Sequence, residues 1–299
     1  MTQKKTPYGK LKTARLEIKY YGPFGVQVNE ALRKYLPTSF LYDYSSRSSI
    51  FLNGKPVQLN EQIKSPVFIE VFLGETEPAE GKPTIIWEND EIAVVFKPSQ
   101  LATQPTRFLA EPSLKLFLSS MISDSCHIPS RLDYGVSGLI LISKVPKRHK
   151  FVHDLYAKKI IKKFYLFQSS NMPHWSYFFL NRAIVRDNLH PVLRTVGSTQ
   201  GAETLFINLK KKTQDVYSFV ARPYTGKTHQ IRVHAKYVKV PILGDPFYGE
   251  LDHSEIKLCC FCLEFPYAGS WLRVFIPKEL SPPWVDIEWL EYYQQLWAF

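Results

Sequence analysis

The sequence predicts an α+β fold: a mixed, mainly antiparallel sheet with flanking helices over residues 84–299, preceded by a small α+β unit over residues 1–75. Three observations point there. Strand-like segments succeed one another as hairpins instead of alternating with helices in regular βαβ units, which favours antiparallel pairing. The stretch "GETEPAEGKP", 74–83, is rich in Gly, Pro and Glu and predicts a linker, with 76–83 as its body. No segment repeats at a period of about 20 to 50 residues, so a solenoid or propeller is not expected.

The elements follow in order. "ARLEIKYYG" alternates as a half-buried strand does, and "VNEALRKYLP" sets Ala31, Leu32 and Leu36 on one helical face before Pro37 stops it. "SIFLNGKPVQL" predicts a hairpin turning at Asn53-Gly54, and "VFIEVFL" adds a strand. "TIIWENDEIAVVFKP" gives two strands ending at Pro98, and "PSLKLFLSSMI" has helical spacing. "GLILISK" is an apolar run of the kind buried on both faces. "KRHKFVHDLYAKK" predicts a helix and "IIKKFYLFQSS" a strand. "AETLFINLKK" and "DVYSFVARPYTG" are expected to pair antiparallel. "KTHQIRVHAKYVK" predicts a helix opening near Thr228 as N-cap. "KLCCFCLEF" and "WLRVFIP" close the chain's strands as a hairpin around Ala268-Gly269.

Composition narrows the class of function. With 299 residues, 45% hydrophobic and 22% charged, a sizeable packed core is expected. A formal net charge of +11 favours polyanionic partners such as RNA, DNA or an acidic membrane surface. The start "MTQKKTPYGK" lacks the apolar core of a signal peptide, and no apolar run approaches a spanning length. Cys126, Cys259, Cys260 and Cys262 lack the paired spacing of a zinc site and are expected to be small buried hydrophobes in a reducing cytoplasm.

Two constellations carry chemistry. In "PSRLDYGVSGLILISK", Arg131 and Asp133 stand two apart at the mouth of a buried strand. A carboxylate there needs compensation, and spacing alone favours a structural Arg131–Asp133 pair. In "RPYTGKTHQIRVHAKYVKVPILGDPFYG", His229 and Arg232 share a helical face behind a Thr225-Gly226-Lys227-Thr228 turn suited to an anion. The P-loop spacing is missing, and His229 and His234, five apart, do not make a metal face. A hydrolase with two flanking carboxylates fits poorly, since the only nearby second acid, Asp245, sits in a Gly-Asp-Pro turn. From Lys144 to Lys163 there are eight Lys or Arg against one acid, Asp154, interleaved with Phe151, Tyr156, Phe164 and Tyr165. That mixture suits RNA, where cations meet phosphates and rings stack on splayed bases.

These two motifs resemble those of the RluA-type pseudouridine synthases, H-R-L-D-x-x-T-S-G-L-L-L and T-G-R-T-H-Q-I-R-V-H followed by G-D-x-x-Y-G. "IAVVFKPSQLATQP" is similar to a third motif of that family, with Gln100 at its usual Gly. The likeness spans about 84–280, and residues 28–73 are similar to a degenerate S4-type RNA-binding domain whose basic helix is shortened to "SRSSI". The resemblance implies a pseudouridine synthase fold. It also implies isomerisation of a specific uridine in structured rRNA or tRNA, with no cofactor and no metal, by a monomer acting on RNA away from membranes. It implies Asp133 as the catalytic carboxylate, acting as nucleophile at the anomeric carbon or base ring, or as base toward a glycal. Arg232 is implied as its ionic partner and Tyr165 as the residue packing on uracil or moving a proton. Arg131 is implied in RNA contact and base displacement, and Lys97, Thr225, Lys227, His229 and Gln230 in substrate or RNA binding. The sequence departs from the family at Ser130 (His), Val136 (Thr) and Lys227 (Arg). Those departures leave a second expectation beside the enzyme: a non-catalytic RNA-binding or ribosome-assembly protein on the same fold.

Overall fold

The computed structural model describes residues 14–35, 49–53, 55–73, 81–105, 113–187, 193–213, 215–249 and 255–285. Its first strands are β1 (Ala14–Tyr20), β2 (Val26–Gln27), β3 (Ser49–Leu52), β4 (Lys55–Pro56), β5 (Gln62–Ile63) and β6 (Val67–Leu73). Then come β7 (Thr84–Glu88), β8 (Ile92–Lys97), β9 (Ser137–Ser143), β10 (Lys162–Ser169), β11 (Tyr177–Asn181), β12 (Ile184–Arg186) and β13 (Arg194–Val196). The last are β14 (Glu203–Thr213), β15 (Val216–Pro223), β16 (Leu258–Tyr267) and β17 (Ser270–Phe275). Helices are α1 (Val28–Leu32), α2 (Leu114–Met121), α3 (Pro146–Ala157) and α4 (Gln230–Tyr237).

Among the described residues, 13 strands join one sheet in the order β11-β14-β15-β10-β16-β17-β1-β6-β3-β4. The antiparallel set β7-β8-β9 joins it through β9. Among the named strands of the described residues, only the β9–β16 pairing is parallel, through Cys259↔Ser137 and Cys260↔Gly138. The sheet is therefore mixed and mainly antiparallel, as the hairpin pattern predicts. All seven residues of β9 are buried, and each of its aliphatic side chains contributes roughly 1.5–3 kcal/mol of burial. Gly138 lets β9 approach β16. Its φ is +126°, and a Cβ there would lie 2.4 Å from the backbone N and O of Cys260. No L side chain fits that space.

The early strands continue the same sheet. β1 pairs with β17, placing Glu17 opposite Arg273, and Arg273 lies opposite Glu264 on β16, which lies opposite Lys162 on β10. The four charges alternate in sign across four strands. Lys162 reaches Glu264 at 2.7 Å and Arg273 Nε reaches it at 2.9 Å. Trp87 Nε1 donates to the Tyr35 carbonyl at 2.7 Å, a second tie between the early residues and the rest.

Several local expectations change. The helix predicted over "VNEALRKYLP" is the five-residue α1, and Pro37 lies outside the described residues. Residues 74–80 of the predicted linker lie outside them too. α4 opens at Gln230 with His229 as N-cap in the left-handed region, so Thr228 is not the cap. Gln230 spends its side chain on the preceding turn, which sets the entry. β11, β12 and β13 were not expected from sequence. β11 is an edge strand whose three aromatics, Tyr177, Phe178 and Phe179, all stay exposed, so no alternation announces it. The predicted hairpins β14–β15 and β16–β17 both form, the latter turning at Ala268 and Gly269 with φ of 51° and 84°.

Candidate active site

Asp133 sits in a loop that leads into β9, and the segment after β8 clamps that loop. Thr103 Oγ1 donates to the Leu132 carbonyl at 2.9 Å and accepts from the Leu132 amide at 3.2 Å. Ser99 Oγ donates to the Gly135 carbonyl at 2.7 Å. Lys97 Nζ donates to the carbonyls of Leu101 (2.7 Å), Pro98 (2.9 Å) and Tyr134 (3.3 Å). Leu132 is buried and anchors the loop to the core. The backbone of Asp133 is thus fixed on one side by "KPSQLAT" and on the other by β9, while its carboxylate stays partly exposed. Gln100, at the turn of this clamp, has φ of 59°. A glycine would hold that conformation without strain, and a glutamine tolerates it at a cost of about 1 kcal/mol.

The partner of the carboxylate is Arg232 on α4. Its Nη1 donates to Asp133 Oδ2 at 2.9 Å. Its other edge is taken in a two-point fork: Nε to Asp245 Oδ2 at 2.7 Å and Nη2 to Asp245 Oδ1 at 2.8 Å. Asp245 is fully buried, and its Oδ1 also accepts from the amides of Phe247 (2.9 Å) and Tyr248 (3.1 Å). The Gly-Asp-Pro turn expected from sequence is real, but that turn reading missed the carboxylate's second task of orienting Arg232. A fully buried acid in such a block needs a cation, and the absence of any other acid between Arg232 and Asp245 was the available signal. Burial works against the Arg232 charge. The bonds and charge of Asp245, followed by those of Asp133, outweigh it and raise the guanidinium above its ordinary range.

His229 Nε2 lies 3.9 Å from Asp133 Oδ2, and its Nδ1 is 2.8 Å from the Tyr248 hydroxyl. That hydroxyl accepts from the Arg194 amide at 2.8 Å, so its own proton is free for Nδ1. The network therefore assigns the Nε2–H tautomer, facing Asp133. Burial lowers the His229 pKa, Asp133 pulling the other way and Arg232 adding to the fall, so the ring is neutral at pH 7.

A cavity of about 380 Å³ opens over Asp133. Tyr165 of β10, Val136, Ile231 and Leu258 supply ring and aliphatic wall, and Arg131, Lys163 and Lys227 supply cations. Burial, with Cys260 adding, holds the Tyr165 phenol well above its ordinary range, so it stays protonated.

The structure brings Asp133, Arg232, Tyr165, Arg131, Lys227 and His229 to one cavity. Arg131 is exposed at its edge and makes no ion pair with Asp133, so the pairing favoured by spacing alone is replaced by one across 99 residues. Thr225 and Gln230 also line the cavity but are committed elsewhere. Thr225 Oγ1 donates to Gln230 Oε1 at 2.8 Å, and Gln230 Nε2 donates to the Glu203 carbonyl and Thr204 Oγ1. They shape the turn before α4. Lys97 is fully buried and does not line the cavity. Its expected contact with RNA is therefore corrected: its ammonium is used up inside the clamp.

A sequence profile of the RNA pseudouridylate synthase family matches residues 91–237. The ribosomal large subunit pseudouridine synthase C of Vibrio parahaemolyticus is 25% identical over 288 residues, covering 85% of this chain and 90% of that protein. An uncharacterized RNA pseudouridine synthase of Helicobacter pylori is 26% identical over 244 residues, covering 75% and 82%. The solved human RNA pseudouridylate synthase domain containing 1 superposes with a TM-score of 0.60 at 20% identity, over 75% of this chain and 98% of that one. This likeness in fold joins the sequence matches. In sequence the chain is similar to the RluA-type RNA pseudouridine synthases, and these matches identify it as an isomerase that acts on RNA.

Proposed function

We propose that the chain isomerises a uridine in structured ribosomal RNA, with Asp133 as the catalytic carboxylate. The observation that carries this reading is the Asp133–Arg232 contact at 2.9 Å on the floor of the cavity, with Arg232 locked from behind by Asp245. An ionised carboxylate in an enclosed site needs a fixed cation, and a fork-held guanidinium supplies one without reorganising. The name of the Vibrio relative, a large-subunit synthase, supports rRNA as the substrate class.

In this reading the C1′–N1 bond of the uridine breaks at the Asp133 carboxylate, the uracil turns within the cavity, and a C1′–C5 bond forms. The hydrogen at C5 leaves to solvent and N1 takes a proton, so the reaction is an isomerisation overall. The neutral Tyr165 ring packs on the base and can donate but not remove a proton at pH 7. Arg131, exposed at the cavity edge, takes the place vacated by the displaced base. Neutral His229 offers its Nε2–H to the carboxylate side of the site. Lys227 meets RNA phosphate.

The test is to map pseudouridines in ribosomal RNA from cells with the gene, without it, and with the Asp133→Asn form. One uridine should lose its modification in the second and third strains, while the Asn protein still binds the RNA. Full modification by Asp133→Asn would remove the catalytic assignment. Unchanged maps in all three strains would favour a protein that binds RNA without modifying it.

A further inference from the structure

A second cavity, of about 330 Å³, adjoins the one over Asp133. The two share a wall that includes Ser130, Lys163, Gly226 and Lys227. The second cavity is lined by Lys159, Lys163, Lys227 and His153 and, among the described residues, by no Asp or Glu. It also presents Tyr224, whose ring is held by the Arg222 guanidinium 4.4 Å from its centroid. A cavity with three ammonium groups and no acid selects an anion.

Lys163 is the central feature. It stands two residues before Tyr165 on β10, and so on the same face of the strand. Its Nζ lies against the turn before α4, 3.8 Å from where a Cβ on Gly226 would sit. Its neighbour Lys162 is bonded to Glu264 at 2.7 Å, whereas Lys163 makes no ion pair or hydrogen bond among the described residues. Desolvation lowers its pKa, with Cys260 pulling the other way. A half-buried ammonium on a cavity wall, with no acceptor of its own among the described residues, is placed to take one from an anionic ligand.

We propose that the second cavity is the subsite for the nucleotide next to the target uridine, with Lys163 binding the phosphodiester that joins the two and Tyr224 facing the neighbouring base. This rests on the reading of the Asp133 cavity as the uridine site. A polynucleotide that places a uridine over Asp133 must lead its chain out past the shared wall, and of the wall's two cations Lys163 is the less exposed. Phosphate for the ammonium and a ring face for the base match the two chemistries the cavity offers.

The test uses the full chain carrying Asp133→Asn, so that binding is read without turnover. The probe is a short hairpin RNA containing the uridine found by the mapping above. It is made with natural phosphates, or with a neutral methylphosphonate on one side or the other of that uridine. One of the two replacements should weaken binding about tenfold to a hundredfold, the value of a charge-assisted hydrogen bond. Adding Lys163→Met should weaken binding of the natural RNA to the same degree and abolish the penalty of that methylphosphonate. Lys163→Gln, neutral and polar, should behave as the Met form does, and Lys163→Arg should restore the penalty. The proposal is overturned if the protein with Lys163 intact is indifferent to both replacements, a result that needs no Lys163 variant to fold. It is equally overturned if the Met and Gln forms keep the full penalty. Turnover by the Asp133→Asn protein would sink the catalytic assignment instead, and the phosphate coupling would still be read separately.

Discussion

Arg232→Met removes two things at once: the donor to Asp133 and the counter-charge of the fully buried Asp245. The second loss falls on stability. Breaking a buried pair from one side costs about 3–5 kcal/mol, and in a chain of this size that lowers the melting temperature by roughly 10 °C. Asp245→Asn added to Arg232→Met removes the stranded charge. The amide oxygen still accepts from the Phe247 and Tyr248 amides, as Oδ1 does at 2.9 and 3.1 Å. The double variant should therefore recover at least about 2 kcal/mol. Turnover should not recover, because Asp133 still lacks its 2.9 Å donor. The loss expected from one charge-assisted hydrogen bond is roughly 10- to 150-fold in both forms. Stability is read by thermal and urea unfolding. Turnover is read by tritium released from RNA labelled at C5 of uridine, since forming the C1′–C5 bond displaces that hydrogen. A double variant that melts with the single one would show that the unpaired Asp245 is not what destabilises. A double variant with normal turnover would show that Arg232 serves only the fold.

Three further outcomes follow from the geometry. Burial lowers the His234 pKa from 6.5 to about 4, its ring being held by Thr204 Oγ1 at 2.9 Å and the Arg182 carbonyl at 3.2 Å. The unfolded chain takes up that proton first, so His234's contribution is intact above pH 6.5 and is lost as pH falls toward 4, by about 3 kcal/mol at most. Stability measured from pH 7 to 4 should fall less steeply in His234→Gln, and equal slopes would contradict the assignment. Gly138→Ala should destabilise by at least about 3 kcal/mol, since the new Cβ meets backbone atoms of Cys260 at 2.4 Å; a soluble, normally melting Ala form would mean that β9 and β16 can separate. Gln100→Gly should raise stability by up to about 1 kcal/mol, by relieving a φ of 59°, with no change in turnover; a fall in melting temperature would mean the Gln side chain contributes more than its backbone costs.

Much of this molecule was legible in its residues because the governing interactions are local. An uninterrupted aliphatic run such as "GLILIS" is unfavourable anywhere but between two covered faces, and β9 is buried throughout. Asn53-Gly54 and Ala268-Gly269 mark hairpins because their neighbours alternate or run apolar on either side, and the pairs β3–β4 and β16–β17 form there. The carboxylate, arginine and tyrosine singled out by the family motifs, Asp133, Arg232 and Tyr165, line one cavity. Other features depend on which distant groups meet. Arg131 is two residues from Asp133, yet the carboxylate takes Arg232, 99 residues away, because α4 presents a guanidinium already oriented by Asp245. Lys97 carries a charge that reads as a surface contact, but β8 buries it beneath the loop it stabilises through three carbonyls. Lys162 and Lys163 are adjacent in sequence. Strand alternation sends one to a glutamate across the sheet and the other to the wall of the cavity, with no partner among the described residues. Residue type and spacing settle which segments are strands and which block carries the acid. The pairing of charges is settled only when the sheet closes, because a buried ion takes the nearest oriented counter-charge in space rather than in sequence.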